Sequence, residues 1–199
     1  MVILAVLALV GGVLYGLSGL DFSIVTMITS HNDLVLYLLM LLVGISIGMH
    51  EGILAKIRKY HIKAFIIPLG IVVGSIIGGM VCAPLTGNAM DASTMIACGL
   101  GWYSLAGVTI SNLLGAQIGS IAFLSNLMRE IFSFFLIPIL SRRFNYYTCI
   151  APAAATSEDT TLSMMIRFTN EETVVLSVFN GVICSALVPL LISFCNAVF

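Results

Sequence analysis

Apolar runs of membrane length alternate with short polar connections along the whole chain. About 20 apolar residues cross a hydrocarbon core of ~30 Å. Residues 2–20 therefore predict a first span, residues 21–33 a polar connection and residues 34–49 a second, shorter span. Residues 51–63 read as a polar loop carrying Lys56, Arg58, Lys59 and Lys63. Residues 64–83 predict a third span, and 84–93 a loop with Asp91 and no base. The remaining runs are 94–114, 116–140, 149–165 and 173–199, and two of them are interrupted. Gly99, Gly101 and Gly107 break up the first, since each mid-helix glycine costs ~1 kcal/mol against alanine. Pro152 and then Thr156-Ser157-Glu158-Asp159-Thr160-Thr161 break up the second.

The positive charges orient these runs. The 51–63 stretch holds half of the 8 Lys and Arg residues, which places it on the cytoplasmic side. If 94–114 crossed fully, Arg142 and Arg143 would fall outside, against the charge rule. If it enters and leaves from the outer side, every base except Arg129 becomes cytoplasmic. The pattern thus predicts an all-α polytopic membrane protein, read as one transporter domain over residues 1–199. It would have about five full transmembrane helices and two re-entrant or broken segments. The N-terminus is expected in the cytoplasm and the C-terminus outside. A helix followed by a broken segment occurs twice, over 64–114 and 116–165, with opposite expected orientation. That is the form of an inverted repeat in a secondary transporter, although no residue-level identity links the halves.

Composition supports the membrane reading: 60% of residues are hydrophobic and 9% charged, where soluble proteins carry roughly 25% charged residues. Mean hydropathy is +1.14. A net charge of −1 offers no basic surface for nucleic acid. Cys82, Cys98, Cys149, Cys184 and Cys195 show no metal-ligand spacing and read as small buried hydrophobes. His31, His50 and His61 are scattered. No metal or cofactor is expected, and no hydrolase, nucleotide-binding or dinucleotide fingerprint is present. The pairs Gly12/Gly16, Gly44/Gly48 and Gly115/Gly119 and the row Gly70/Gly74/Gly78 read as packing seams, within the protein or between subunits.

The chemistry gathers in three places. Arg129 and Glu130 stand mid-run in 116–140, where a charge costs at least ~2.5–3.5 kcal/mol and usually faces a cavity or a partner. Asn126 and Glu130, four apart, share a helix face with Ser133 nearby, whereas Arg129 is rotated by ~100° and need not pair with Glu130. Glu130 is a candidate proton carrier, because burial favours the neutral acid; the alternative is a structural ion pair joining two helices. Trp102, Tyr103 and Ser104 form an aromatic-polar cluster amid glycines, either a ligand platform or an interfacial anchor. Thr156, Ser157, Glu158, Asp159 and Thr160 follow an irregular stretch whose free backbone groups suit charged ligands. The alternative there is a cytoplasmic loop with a helix cap. Asn180 and Ser185 offer further polar contacts from the last helix.

Several stretches together resemble the bacterial LysO lysine exporter family. They are Gly101-Trp102-Tyr103-Ser104-Leu105-Ala106-Gly107-Val108, Ile118-Gly119-Ser120-Ile121-Ala122-Phe123 and Asn126-Leu127-Met128-Arg129-Glu130. Leu136-Ile137-Pro138 and Ala154-Ala155-Thr156-Ser157-Glu158-Asp159-Thr160-Thr161-Leu162 follow. The resemblance is densest over residues 95–167. It implies export of L-lysine and lysine analogues across the bacterial cytoplasmic membrane, with intramembrane acids important and Glu130 matching one of them. Family members commonly carry a further N-terminal stretch, and in some bacteria the family is split into a short and a long polypeptide. This chain resembles the long one, so a short partner subunit, a homodimer, or both are expected. Proton antiport would cancel the electrical cost of exporting a cation, ~2.3 kcal/mol per charge per 100 mV. Glu130, with Arg129 and Asn126, would carry the coupling. Trp102, Tyr103, Ser104, Thr156, Ser157, Glu158, Asp159 and Thr160 would hold the substrate. A sodium-coupled carrier, a passive channel and a structural membrane subunit are the competing readings.

Overall fold

The computed structural model describes the backbone at residues 2–19, 22, 23, 25, 27, 38, 41, 45 and 53–199. Side chains are described from residue 65 onward and at a few positions before residue 46. The chain forms two compact units, Met1–Ile45 and Ser46–Phe199. The expected second span (34–49) and the connection at 21–33 lie almost wholly outside the described residues, as do His31, His50 and Gly44/Gly48. Every regular element described is helical.

In the first unit, α1 spans Val2–Ser18, about 25 Å at 1.5 Å per residue. Its end is closed by Ser18, whose hydroxyl donates to the Tyr15 carbonyl at 2.7 Å.

The first described element of the second unit is α2, Ile53–Thr86. The sequence reading placed a loop at 51–63; from Ile53 that stretch is instead the first three turns of α2. The reason is local: residues 53–67 contain no glycine or proline, and Lys, Arg, Leu and Ala are good helix formers. The helix also runs past Pro84, so the loop expected at 84–93 shrinks to the turn at Gly87 and its neighbours before α3, Met90–Ala97. Asp91 in the first turn of α3 accepts from the Ala92 N–H at 2.7 Å. Close packing of α2 on α3 depends on Gly79, where a Cβ would stand 2.7 Å from the Thr94 Cα.

After Ala97 the chain breaks and restarts as α4, Tyr103–Leu114. A sharp turn at Gly115 (φ +90°) leads into α5, Ala116–Arg143. Helices α4 and α5 pack through Gly107, whose Cβ would lie 3.0 Å from that of Phe123, and through an edge-on contact of Tyr103 with Phe123 at 5.3 Å. A 3₁₀ turn at Tyr146–Cys149, capped by Asn145, starts the second broken segment. There follow the single turn α6 (Ile150–Ala153), a 3₁₀ turn at Ala154–Glu158, and α7 (Leu162–Phe168). The last helix, α8, spans Glu171–Val198. Asn170 accepts from the Thr173 N–H at 2.9 Å, and Glu171 and Glu172 meet the positive end of the helix dipole.

Both interrupted runs are therefore broken helices, as their glycines and proline predicted. Neither α3 nor α4 alone reaches ~30 Å. Three helical stretches are long and apolar enough to span a membrane: Phe65–Thr86, Ala116–Arg143 and Glu171–Val198. Helix α8 is central, with over half of its span buried, while α2 is mostly exposed. Outward-facing Leu69, Leu85, Phe135 and Leu190 give the unit an apolar exterior, the surface expected against lipid. Four of the five cysteines are buried and none is in a disulfide.

Candidate functional site

The two breaks meet. The Ala155 N–H donates to the Leu100 carbonyl at 3.0 Å, joining the irregular stretch of one broken helix to that of the other. Beside this bond sit Leu100 (φ 50°) and Ala154 (φ 48°), the non-glycine residues with positive φ among those described. Such backbone costs ~1–3 kcal/mol per residue and persists only where its surroundings enforce it. Here the enforcing groups are polar side chains on the long helices.

Asn126 of α5 holds the first break. Its Oδ1 accepts from the Gly101 N–H (2.8 Å), while its Nδ2 donates to the Ile96 carbonyl (3.0 Å) and the Ala122 carbonyl (2.9 Å). Gly99 makes room for that amide: a Cβ there would fall 2.5 Å from Nδ2. Asn180 of α8 plays the matching part at the second break. It donates to the Ala154 carbonyl (2.9 Å) and to the Ser157 hydroxyl (3.1 Å). The Ser157 hydroxyl in turn points at the Ala154 and Ser177 carbonyls, each at 2.7 Å. Thr156 donates to the Ala153 carbonyl at 2.9 Å. The hydroxyls of Thr156 and Ser157 are thus engaged inside the break that they help to shape.

Arg129 and Glu130 part company, as their ~100° offset required. Arg129 reaches the start of the second break, donating from Nε to the Pro152 carbonyl (3.2 Å) and from its terminal nitrogens to the Ser75 hydroxyl (3.2 Å) and the Ala151 carbonyl (3.3 Å). Glu130 shares the buried face of α5 with Asn126 and Ser133. It is 1% exposed, and neither carboxyl oxygen has a hydrogen-bond partner among the described residues. The Thr160 hydroxyl is the polar group that acts most on it. It forms no hydrogen bond of good geometry among the described residues. Tyr103 and Asp159 lie within electrostatic reach of one another, and Tyr103 is also within reach of Glu130. Tyr103, Asp159 and Thr160 thus all lie within electrostatic reach of Glu130.

Glu158 faces α8 instead. Its Oε1 accepts from the Ser185 hydroxyl at 2.8 Å, and its side chain lies flat on Gly181, where a Cβ would come within 2.5 Å of that of Glu158. Asp159 accepts from the Thr160 N–H and is exposed. Trp102 is the residue before α4, and Trp102 and Ser104 flank Tyr103 half-buried. Ser75 and Gly181 were missed by the sequence reading, and Gly99 was read only as a helix breaker. A serine or glycine in an apolar helix announces no partner until a second helix supplies one. No group of three His, Cys, Asp or Glu side chains able to hold a metal occurs among the described residues.

Membrane-length helices around two broken, crossing segments define a multi-pass helical membrane protein with irregular backbone buried in its interior. Such backbone at membrane depth is confined to sites buried in protein or lining a cavity. The family profile described as lysine exporter LysO matches residues 6–196. The chain belongs to that family, which is one of transporters rather than enzymes. It is 36% identical over 186 residues to "Lysine exporter LysO" of Escherichia coli, which covers 94% of this chain and 61% of that protein. It is 32% identical over 163 residues to a "Putative lysine exporter" of Haemophilus influenzae, covering 82% and 83% respectively. The chain thus spans about three-fifths of the Escherichia coli relative. No solved structure matches.

Proposed function

We propose that the chain exports L-lysine and lysine analogues across the bacterial cytoplasmic membrane in exchange for protons, with Glu130 as the proton carrier. The observation that carries this is a buried carboxyl beside Thr160 with no well-formed hydrogen bond among the described residues, set where two broken helices cross. A buried polar group without a partner is rare and calls for a reason. A proton satisfies it in one state, and a substrate ammonium in the other. The relatives' names supply the substrate class.

Asp159 and Tyr103, beside Glu130, would receive the ammonium groups, with Thr160 completing the coordination. Glu158 would add negative charge from α8. Backbone N–H groups freed at the breaks would hold the carboxylate. Asn126, Thr156 and Ser157 would act by holding the breaks in shape, and Trp102 and Ser104 would border the site. In this reading residues 1–199 form one transporter domain with its N-terminus in the cytoplasm and its C-terminus outside. The protein works as a homodimer, with a short partner subunit, or with both.

The test is reconstitution into liposomes preloaded with labelled L-lysine under an imposed pH gradient. Uphill lysine movement driven by protons is expected, with Glu130→Gln abolishing the coupling. A Glu130→Gln protein that moves lysine uphill at the normal rate and pH dependence sinks the proposal. Movement only downhill would make the protein a passive facilitator, and dependence on sodium instead of protons would change the coupling ion.

A further inference from the structure

Leu100 and Ala154, the non-glycine residues of positive φ beside the two breaks, stand 54 residues apart. The same interval separates Asn126 from Asn180, the amides that hold those breaks. It also separates Thr94 from Thr148. Each of these hydroxyls donates to the carbonyl three residues back, that of Asp91 or Asn145, at the start of its broken segment. In that register Thr94-Met95-Ile96-Ala97 and Thr148-Cys149-Ile150-Ala151 agree at three of four positions. Each break is followed by a helix of 28 residues, α5 or α8. The packing is reciprocal as well. Cys98, before the first break, has its Sγ 3.6 Å from that of Cys195 near the end of α8, while Cys149, before the second, donates to the Ile137 carbonyl of α5 at 3.6 Å. Where the breaks touch, like meets like: the Ala155 N–H donates to the Leu100 carbonyl, and Ala155 is the counterpart of Gly101. Contact between equivalent positions is the mark of a two-fold relation.

We propose that residues 90–143 and 144–197 are two copies of one unit, and that Asn126 and Asn180 are equivalent positioning residues that close the protein to opposite sides of the membrane. The order that repeats is a broken segment followed by a long helix, the reverse of the helix-then-break units at 64–114 and 116–165 that hydropathy suggested. Opposite facing follows from the charge rule, which brings the first broken segment in from the outer side and the second from the cytoplasm. Two like units facing opposite ways can exchange conformations, and the exchange exposes a site between them to each side in turn. Each amide bonds only within its own unit, Asn126 to Ile96, Gly101 and Ala122, Asn180 to Ala154 and Ser157. Releasing one amide therefore frees one break and leaves the other held. The copies differ four residues beyond the amide, where the first has Glu130 and the second Cys184. The frame is duplicated and the carboxyl is not. The inference rests on the transport part of the proposed function and is independent of the substrate and the coupling ion.

The test is side-specific labelling of the full chain in membrane vesicles of both orientations. Thr160→Cys places a thiol beside Glu130, where the native hydroxyl is buried, and Cys82→Ser removes the exposed native thiol. A membrane-impermeant maleimide is applied to either face, and mass spectrometry reads its attachment at residue 160. Asn126→Ala is expected to shift the ratio of outer to inner labelling roughly tenfold toward the outer face, and Asn180→Ala roughly tenfold toward the inner face, each about 1.4 kcal/mol. Asn126→Asp and Asn180→Asp keep the shape of the side chain and lose its N–H donors, so they read the same bias should an alanine variant fail to fold. Opposite shifts with the faces exchanged uphold the proposal and turn the chain over in the membrane. Shifts toward the same face overturn it, as does the absence of a shift in either variant. Labelling needs neither lysine nor a pH gradient, so a protein that carries another solute leaves this result standing, and same-face labelling leaves lysine export standing.

Discussion

Glu130 and Arg129 show how one step along a helix separates two tasks. A residue advance of ~100° turns the carboxyl inward, to Thr160 and Tyr103, and the guanidinium toward Ser75 and the second break. Lysine cannot replace that guanidinium, because one compact ammonium does not match a planar fork serving acceptors on two helices. Arg129→Lys is therefore expected to lower both the melting temperature in detergent and the transport rate. Retention of both at wild-type values would show that the three hydrogen bonds contribute nothing. The glycines divide the same way. At Gly99 and Gly181 an alanine would press on Asn126 and Glu158 at 2.5 Å, and overpacking of this kind costs ~1–3 kcal/mol. At Gly74 a Cβ meets nothing within 4 Å among the described residues, and Gly→Ala in a helix gains ~0.5–1 kcal/mol. Thermal unfolding of the three single variants should rank Gly74→Ala above the native chain and the other two below it. The sequence marks Gly99 as part of a helix break, Gly74 as part of a packing seam and Gly181 only as a glycine in an apolar run. Which neighbours crowd them is decided by helices distant in the chain.

At the scale of elements, each broken helix owes its shape to an amide on the long helix beside it. Asn126 bridges Ile96, Gly101 and Ala122, and Asn180 bridges Ala154 and Ser157. Side-chain hydrogen bonds inside membrane proteins average ~0.6 kcal/mol and reach ~1.7. Asn126→Leu and Asn180→Leu should each exceed that average, because each removes at least two buried hydrogen bonds. The bond from Ala155 to Leu100 ties the two breaks together, so the two substitutions should be non-additive. A double-mutant cycle on unfolding that closes to zero would mean that the breaks are independent. The positions of both breaks were legible in the sequence, since Gly99, Gly101 and Pro152 announce poor helix locally. The helical turns at the start of α2 were not, because a basic run reads as loop when only hydropathy is scored. Nor was the pairing of the breaks, which rests on backbone atoms that every residue carries. Asn126 and Glu130 could be placed on one face by spacing alone; the absence of a well-formed hydrogen bond to Glu130 among the described residues and the full engagement of Ser157 could not.

For the molecule as a whole, the question is which parts move against which during transport. Helix α8 packs against α2, α3 and the 3₁₀ turn at Ala154–Glu158, and so touches both broken segments. At one of these contacts Cys98, in the first break, lies with its Sγ 3.6 Å from that of Cys195 on α8, both side chains fully buried. A disulfide needs about 2.05 Å between sulfurs, so a modest approach would close one. Alternating access moves one part of a transporter against another around a fixed site. If the first break shifts against α8 in each cycle, a Cys98–Cys195 bond stops that cycle. Oxidation with diamide, which takes two electrons and two protons from the thiol pair, is expected to arrest lysine movement in liposomes. Dithiothreitol should restore it, and Cys98→Ser should be immune. Mass spectrometry of the oxidised protein must show the linked peptides. Transport that continues with the bond fully formed would place the first break and α8 in one rigid body, leaving the second broken segment, with Glu158, Asp159 and Thr160, as the part that moves.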